Sequence, residues 1–159
     1  MVFQFKGICG WPYIQMLGSN KVKLNEFKLS IDDVMKALLE SWSLESTEEP
    51  ENWEPSNPSR GQCGISSLII NDYFGGKLVL WKVFVGEEQV GFHYSNELSD
   101  GTQFDATGDQ FWENEELREP SSFERPDKPP KNGADRYINL AKLVRSKLES
   151  SLVEVTAST

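Results

Sequence analysis

The chain of 159 residues contains a single histidine and two cysteines. One imidazole and two distant thiols, Cys9 and Cys63, cannot assemble a zinc site of the Cys/His type, so no metal or other cofactor is expected. Basic residues are also scarce: 16 Lys and Arg against 25 Asp and Glu leave a net charge of −9. That balance argues against nucleic acid as a partner, because binding depends on neutralising phosphates. It equally disfavours an anionic membrane surface. No stretch approaches the roughly 18 consecutive apolar residues of a membrane span, and the N-terminus lacks the basic region and apolar run of a secretory signal. The expectation is a cytoplasmic protein with free thiols, no nucleic-acid partner, no membrane partner, and a charge that maintains solubility.

What the chain does contain is aromatic bulk: 11% Phe, Trp and Tyr within a 38% hydrophobic composition. That is too rich in large apolar side chains for a disordered chain, and the length suits one domain with a real core. Residues 1–29 are broken by Gly7, Gly10, Pro12 and Gly18 and are expected as an N-terminal extension. Residues 30–150 form a single α+β domain in this reading, and 151–159 a frayed tail.

Ser30 followed by Ile31-Asp32-Asp33 has the form of a helix start, with a capping hydroxyl and an acidic first turn. Ile31, Val34, Met35, Leu38, Leu39 and Trp42 then recur at helical spacing to about residue 44. A loop from Ser46 to Arg60, rich in Glu, Pro, Ser and Asn, is longer than most connections in compact domains and is expected to line a site. It runs into Gly61-Gln62-Cys63-Gly64-Ile65, where a helix is expected to begin and to close at Gly75-Gly76. Residues 77–85 and 89–98 are rich in β-branched and aromatic types and predict two strands. Asp100-Gly101 is a hairpin signal, returning a third strand over 102–106. Thr107 is expected to cap a helical turn through Trp112. A Pro-rich loop over 113–132 and an amphipathic helix over 133–149 complete the domain.

The chemistry concentrates on Cys63, His93 and Asp105. A cysteine at a helix N-terminus meets unpaired backbone N–H groups and the positive end of the helix dipole, which favour thiolate. Histidine can accept the thiol proton and return it to a leaving group, and a carboxylate on the far ring nitrogen fixes the tautomer. A two-residue turn at Asp100-Gly101 places Asn96 opposite Asp105, whereas a turn centred near Ser99 brings His93 and Asp105 together, and both registers stay open. Asp109 is the rival carboxylate. The plain alternative is a structural cysteine at a helix start and a histidine packed between Phe92 and Tyr94. For an oxyanion the Cys63 N–H is the first donor, with Asn57, Gln62 or the indole of Trp53 as candidate partners, and Asn96 in a supporting place.

Asn57-Pro58, Gly61-Gln62-Cys63, Gly75-Gly76, His93, Asn96, Asp100-Gly101, Phe104-Asp105-Ala106-Thr107 and Gln110-Phe111 together resemble the uncharacterised bacterial YunG-like proteins, over about residues 31–115. That resemblance implies a shared domain and carries no known activity. More broadly, the order Cys, His, Asp resembles the transglutaminase-like and papain-like cysteine enzymes. It implies a Cys-bearing helix packed on a small antiparallel sheet, with Cys63 as nucleophile, His93 as base and Asp105 as orienting carboxylate. The sequence departs from that pattern where Gly64-Ile65 replaces the aromatic residue beside the nucleophile. The resulting expectation is a thiol-dependent hydrolase or acyltransferase acting on a peptide or small amide or ester. The alternatives are a non-catalytic binding or interaction domain on the same fold, and an acidic partner of a basic protein.

Overall fold

The computed structural model describes residues 29–157. Among these the chain is α+β, with three helices and a curled four-stranded antiparallel sheet. Helix α1 (Ile31–Ser41) begins with a full capping box. The Asp33 N–H donates to the Ser30 hydroxyl while the Ser30 N–H donates to the Asp33 carboxylate at 2.9 Å, so two of the orphan donors at the helix start are satisfied. Val34, Ala37 and Leu38 are buried on one face, whereas Leu39, expected in the apolar stripe, is exposed. The helix stops at Ser41 because Trp42 takes an extended conformation. Its indole then donates to Ser66 Oγ at 2.9 Å, tying this end to the next helix.

Helix α2 (Cys63–Phe74) is the centre of the fold. Ile65, Leu68, Ile69, Ile70 and Phe74 are buried on almost every side, the pattern of a helix enclosed by other elements rather than lying on a surface. Gly75 and Gly76 end it at φ 68 and φ 82, backbone that glycine adopts readily, as their position in the sequence predicts. A side chain at Gly76 would meet the backbone of Glu97 and Leu98, so this close approach of helix end and sheet requires glycine. Helix α3 (Ala134–Ala157) lays Tyr137, Leu140 and Val144, all fully buried, into the same cluster as Val34, Leu38, Ile69 and Ile70. The helix continues to Ala157, through most of the segment expected to fray.

Strands β1 (Lys77–Val85) and β2 (Glu88–Glu97) pair antiparallel across a tight turn at Gly86, with His93 opposite Trp81. The order across the sheet is β3-β2-β1-β4. Strand β3 (Gln103–Phe104) has two residues instead of the expected five. A three-residue loop connects it: the Leu98 N–H donates to Thr102 O, and Gly101 sits at φ 86. Asn96 consequently pairs with Phe104 and Glu97 with Gln103, a register different from both that sequence reading left open.

Strand β4 (Glu115–Phe123) lies inside the segment expected to be a Pro-rich loop. It occupies the free edge of β1, where a proline is tolerated because one side of the strand needs no ladder partner. Pro120 falls where the β1–β4 register shifts, directly after Glu119 at φ 55. The expected helical turn at Thr107 is a hydrogen-bonded turn only, with the Gln110 N–H on Thr107 O, and the Thr107 hydroxyl caps nothing. Residues 1–28, including Cys9, lie outside the described residues.

Candidate functional site

Cys63 is the first residue of α2 and is 8% exposed. The loop before it is rigidly built. Gly61 turns the chain at φ 71, the Thr47 hydroxyl donates to Arg60 O at 2.7 Å, and the Glu48 N–H donates to Gly61 O at 3.0 Å. Arg60 is buried and bridges Glu49 at 2.8 Å and Glu115 at 2.6 Å, with its guanidinium 4.0 Å above the Trp112 ring. This fixes the entry to α2 and the start of β4 in one assembly.

Two backbone N–H groups face the Cys63 sulfur, from Tyr94 in β2 and from Gly64. Burial nevertheless dominates and pushes the thiol up to about 12; the Tyr94 N–H opposes the rise, and the negative charges of Glu48 and Asp105 add to it. The helix terminus thus does not yield a thiolate in this state, contrary to the sequence expectation, because the cost of desolvating sulfur exceeds what the local donors return.

His93 is fully buried, with its ring edge-on to Phe111 at a 4.7 Å centroid distance. Its Nε2 lies 2.7 Å from Asp105 Oδ2. Asp105 does not sit across from His93 on a paired strand. The chain leaves β3 at Phe104, turns back with the Thr107 N–H on Asp105 Oδ1 at 3.2 Å, and aims the other carboxylate oxygen at the ring. The rival Asp109 is used elsewhere, accepting from the Ser59 hydroxyl at 2.7 Å.

The other ring nitrogen, Nδ1, faces Gln110 Nε2 at 3.3 Å. The orientation of this amide follows from its neighbours. The Gly61 N–H can only donate, and it does so to Gln110 Oε1 at 3.2 Å; Thr107 O can only accept, and it lies 3.1 Å from Nε2. Nδ1 must therefore accept, which leaves the ring proton on Nε2, directed to Asp105. A basic lone pair on Nδ1 and a carboxylate on Nε2–H is the tautomer that general-base chemistry at Nδ1 requires.

The four support candidates are each committed to holding structure. Trp53 donates its indole N–H to Pro58 O at 2.9 Å, and Asn57 donates to Gln110 O at 2.9 Å. Gln62 donates to Ser43 O at 3.1 Å, and Asn96 donates to Ser67 O at 2.9 Å, linking β2 to α2. Gln110 carries the polar role that sequence reading left unassigned, joining the loop before Cys63 to the His93 ring.

Cys63 borders a cavity of about 630 Å³ whose walls include Glu48, Val83, Phe92, Tyr94, Gln110 and Trp112. Glu48 is exposed at its mouth, yet the surrounding walls desolvate its carboxyl enough to raise its pKa against the opposing charge of Arg136. Among the described residues no group of three or more His, Cys, Asp and Glu side chains is placed to hold a metal ion, and no helix is long and apolar enough to cross a membrane.

Helix, sheet and site occupy a segment with a recognisable family pattern. Residues 30–149 match the family model described as YunG protein, and the chain belongs to that family. A relative in Bacillus subtilis strain 168, named "Uncharacterized protein YunG", is 36% identical over 81 residues, which cover 51% of this chain and 63% of the relative. The match thus spans less than two thirds of that relative's length. No solved structure matches.

Proposed function

We propose that the protein is a thiol-dependent hydrolase or acyltransferase acting on an amide or ester bond, with Cys63 as nucleophile and His93 and Asp105 as its proton-handling pair. The observation that carries this reading is the 2.7 Å contact between the chain's only histidine and Asp105, on the strand whose next residue presents its N–H to the Cys63 sulfur. In this scheme Gln110 first releases Nδ1. Nδ1 then takes the sulfur proton as sulfur attacks the carbonyl carbon, and the backbone N–H groups at the start of α2 receive the developing oxyanion. Collapse expels the amine or alcohol, which takes the proton from Nδ1, and leaves a thioester on Cys63. Water or an amine then attacks the thioester and restores the thiol. Because burial holds the thiol protonated, proton removal accompanies attack and does not precede it. The order of a helix-borne Cys, then a strand-borne His, then an Asp just past the next strand resembles that of papain-like and transglutaminase-like enzymes, a likeness of arrangement.

A non-catalytic binding domain on the same fold is the second reading, favoured by one observation: Gln110 already occupies the ring nitrogen that the thiol needs. Intact-mass detection of an acyl adduct after treatment with an activated ester such as p-nitrophenyl acetate separates the two. The enzyme reading expects an adduct on Cys63, absent in Cys63→Ser and formed about 10²–10⁴-fold more slowly in His93→Gln. Equal rates in wild type and His93→Gln favour the binding domain.

A further inference from the structure

Two hollows flank the start of α2. The larger, of about 630 Å³, contains Cys63 and has Val83, Val85, Val90, Phe92 and Trp112 among its walls. A second, of about 370 Å³, begins at Gly64 and is floored by Ile65, Leu68 and Leu78. Its outer rim carries Lys128, Lys131 and Arg136. Glu48 and Tyr94 belong to both, so the hollows meet at a shared wall beside the sulfur. Both volumes suit small-molecule sites.

The two ends differ in chemistry. Val90 and Phe92 are about half exposed in the larger hollow, an apolar surface without cover among the described residues. At the other end three cations gather on one rim of a chain whose net charge is −9. Lys128 and Lys131 are in no ion pair with a carboxylate among the described residues, where the other lysines and arginines of the sheet and loops are paired repeatedly, whereas Arg136 donates to Ser46 O at 3.4 Å and acts on the Glu48 charge. Between the ends stands Glu48, a hydrogen-bond acceptor whose charge Arg136 offsets.

We infer that the cleft takes an N-acyl amino acid. The apolar acyl chain lies in the larger hollow, the free carboxylate lies on the Lys128, Lys131 and Arg136 rim, and the amide joining them lies over Cys63. The assignment rests on the thiol-hydrolase reading for its chemistry, since the amide is then the bond that Cys63 cleaves. The Glu48 carboxylate accepts the amide N–H of such a ligand, and a charge-assisted carboxylate contact at the rim selects against neutral analogues.

The test uses full-length Cys63→Ser protein, which binds without turnover, and two probes that differ only in charge: N-octanoylglycine and N-octanoylglycinamide. Calorimetry is expected to give at least about tenfold tighter binding of the carboxylate. The preference is expected to vanish in a Lys128→Gln, Lys131→Gln background, where the amide probe still binds as before. Equal affinity for the two probes, or no binding of either, overturns the inference. Hydrolysis of N-octanoylglycine by the wild-type protein is read separately. Selective binding with no hydrolysis and no acyl adduct retains the ligand assignment and removes the thiol-hydrolase reading. Hydrolysis or adduct formation without charge preference does the reverse.

Discussion

Tyr137→Phe isolates one hydroxyl at the junction of α2, α3 and the segment after β4. The Tyr137 ring is fully buried, and its hydroxyl donates to Asp72 Oδ2 at 2.5 Å and accepts from Arg125 Nη2 at 3.2 Å. Arg125 also pairs directly with Asp72, so three polar groups satisfy one another inside the helical layer. Phenylalanine retains the ring and its packing, so the change reports on the polar contacts. Hydrogen bonds to charged groups contribute roughly 1.5–3 kcal/mol, and a loss of about 2 kcal/mol is expected for this one. In a chain of this size that corresponds to a fall in Tm of about 4–8 °C.

The loss also depends on pH. Burial raises the Asp72 pKa to about 6, against the opposing influence of Arg125 and of the Tyr137 hydroxyl. A carboxyl whose folded pKa lies above its unfolded value costs stability when ionised, and the cost is relieved as pH falls from above about 6 towards the unfolded pKa. Because the hydroxyl favours the ionised form, removing it hurts most above pH 6, and the difference between variant and wild type narrows below it. Urea unfolding followed by circular dichroism at pH 8 and pH 5 measures both quantities. A difference under about 0.5 kcal/mol at pH 8, or one that grows on acidification, refutes the reasoning.

Three further changes test other parts of the structure. Asp105→Asn removes the charge that accepts the Nε2 proton, and formation of the Cys63 acyl adduct is expected to slow by about 10²-fold or more with the fold intact by circular dichroism. Gly61→Ala adds a methyl group at φ 71 that would meet the Thr47 hydroxyl and the Glu49 backbone, and thermal unfolding should show a loss of about 2 kcal/mol or more. Arg60→Met leaves Glu115 buried without its cation, and a loss of about 3 kcal/mol in urea unfolding is expected.

The parts of the fold visible in sequence are those whose signals are local. Ser30 with Asp33 announces α1, Gly75-Gly76 closes α2, and β1 and β2 consist of β-branched and aromatic residues. Strand β4 was hidden because its Glu-Glu-Leu-Arg-Glu-Pro stretch has neither alternation nor β propensity; it is a strand only because β1 has a free edge. Register was equally non-local, since the three-residue loop closed by Gly101 shifts the pairing and Asp105 reaches His93 from beyond the end of β3. His93 and Asp105 stood out by residue type and spacing. Gln110 did not, because its role depends on Gly61, Thr107 and His93 meeting in space. The backbone partners of Asn57, Gln62 and Trp53 were hidden for a similar reason: their side chains donate to carbonyls in the loops around α2 that no local signal brings near.

The catalytic claim for Cys63 is tested most directly by the pH dependence of its alkylation by iodoacetamide, followed by peptide mass mapping in wild type and His93→Gln. If His93 serves the thiol, the wild-type protein reacts well below the thiol's own range, and His93→Gln loses most of the rate near neutral pH. A rate that climbs only towards the thiol's own value of about 12, identical in the two proteins, contradicts it.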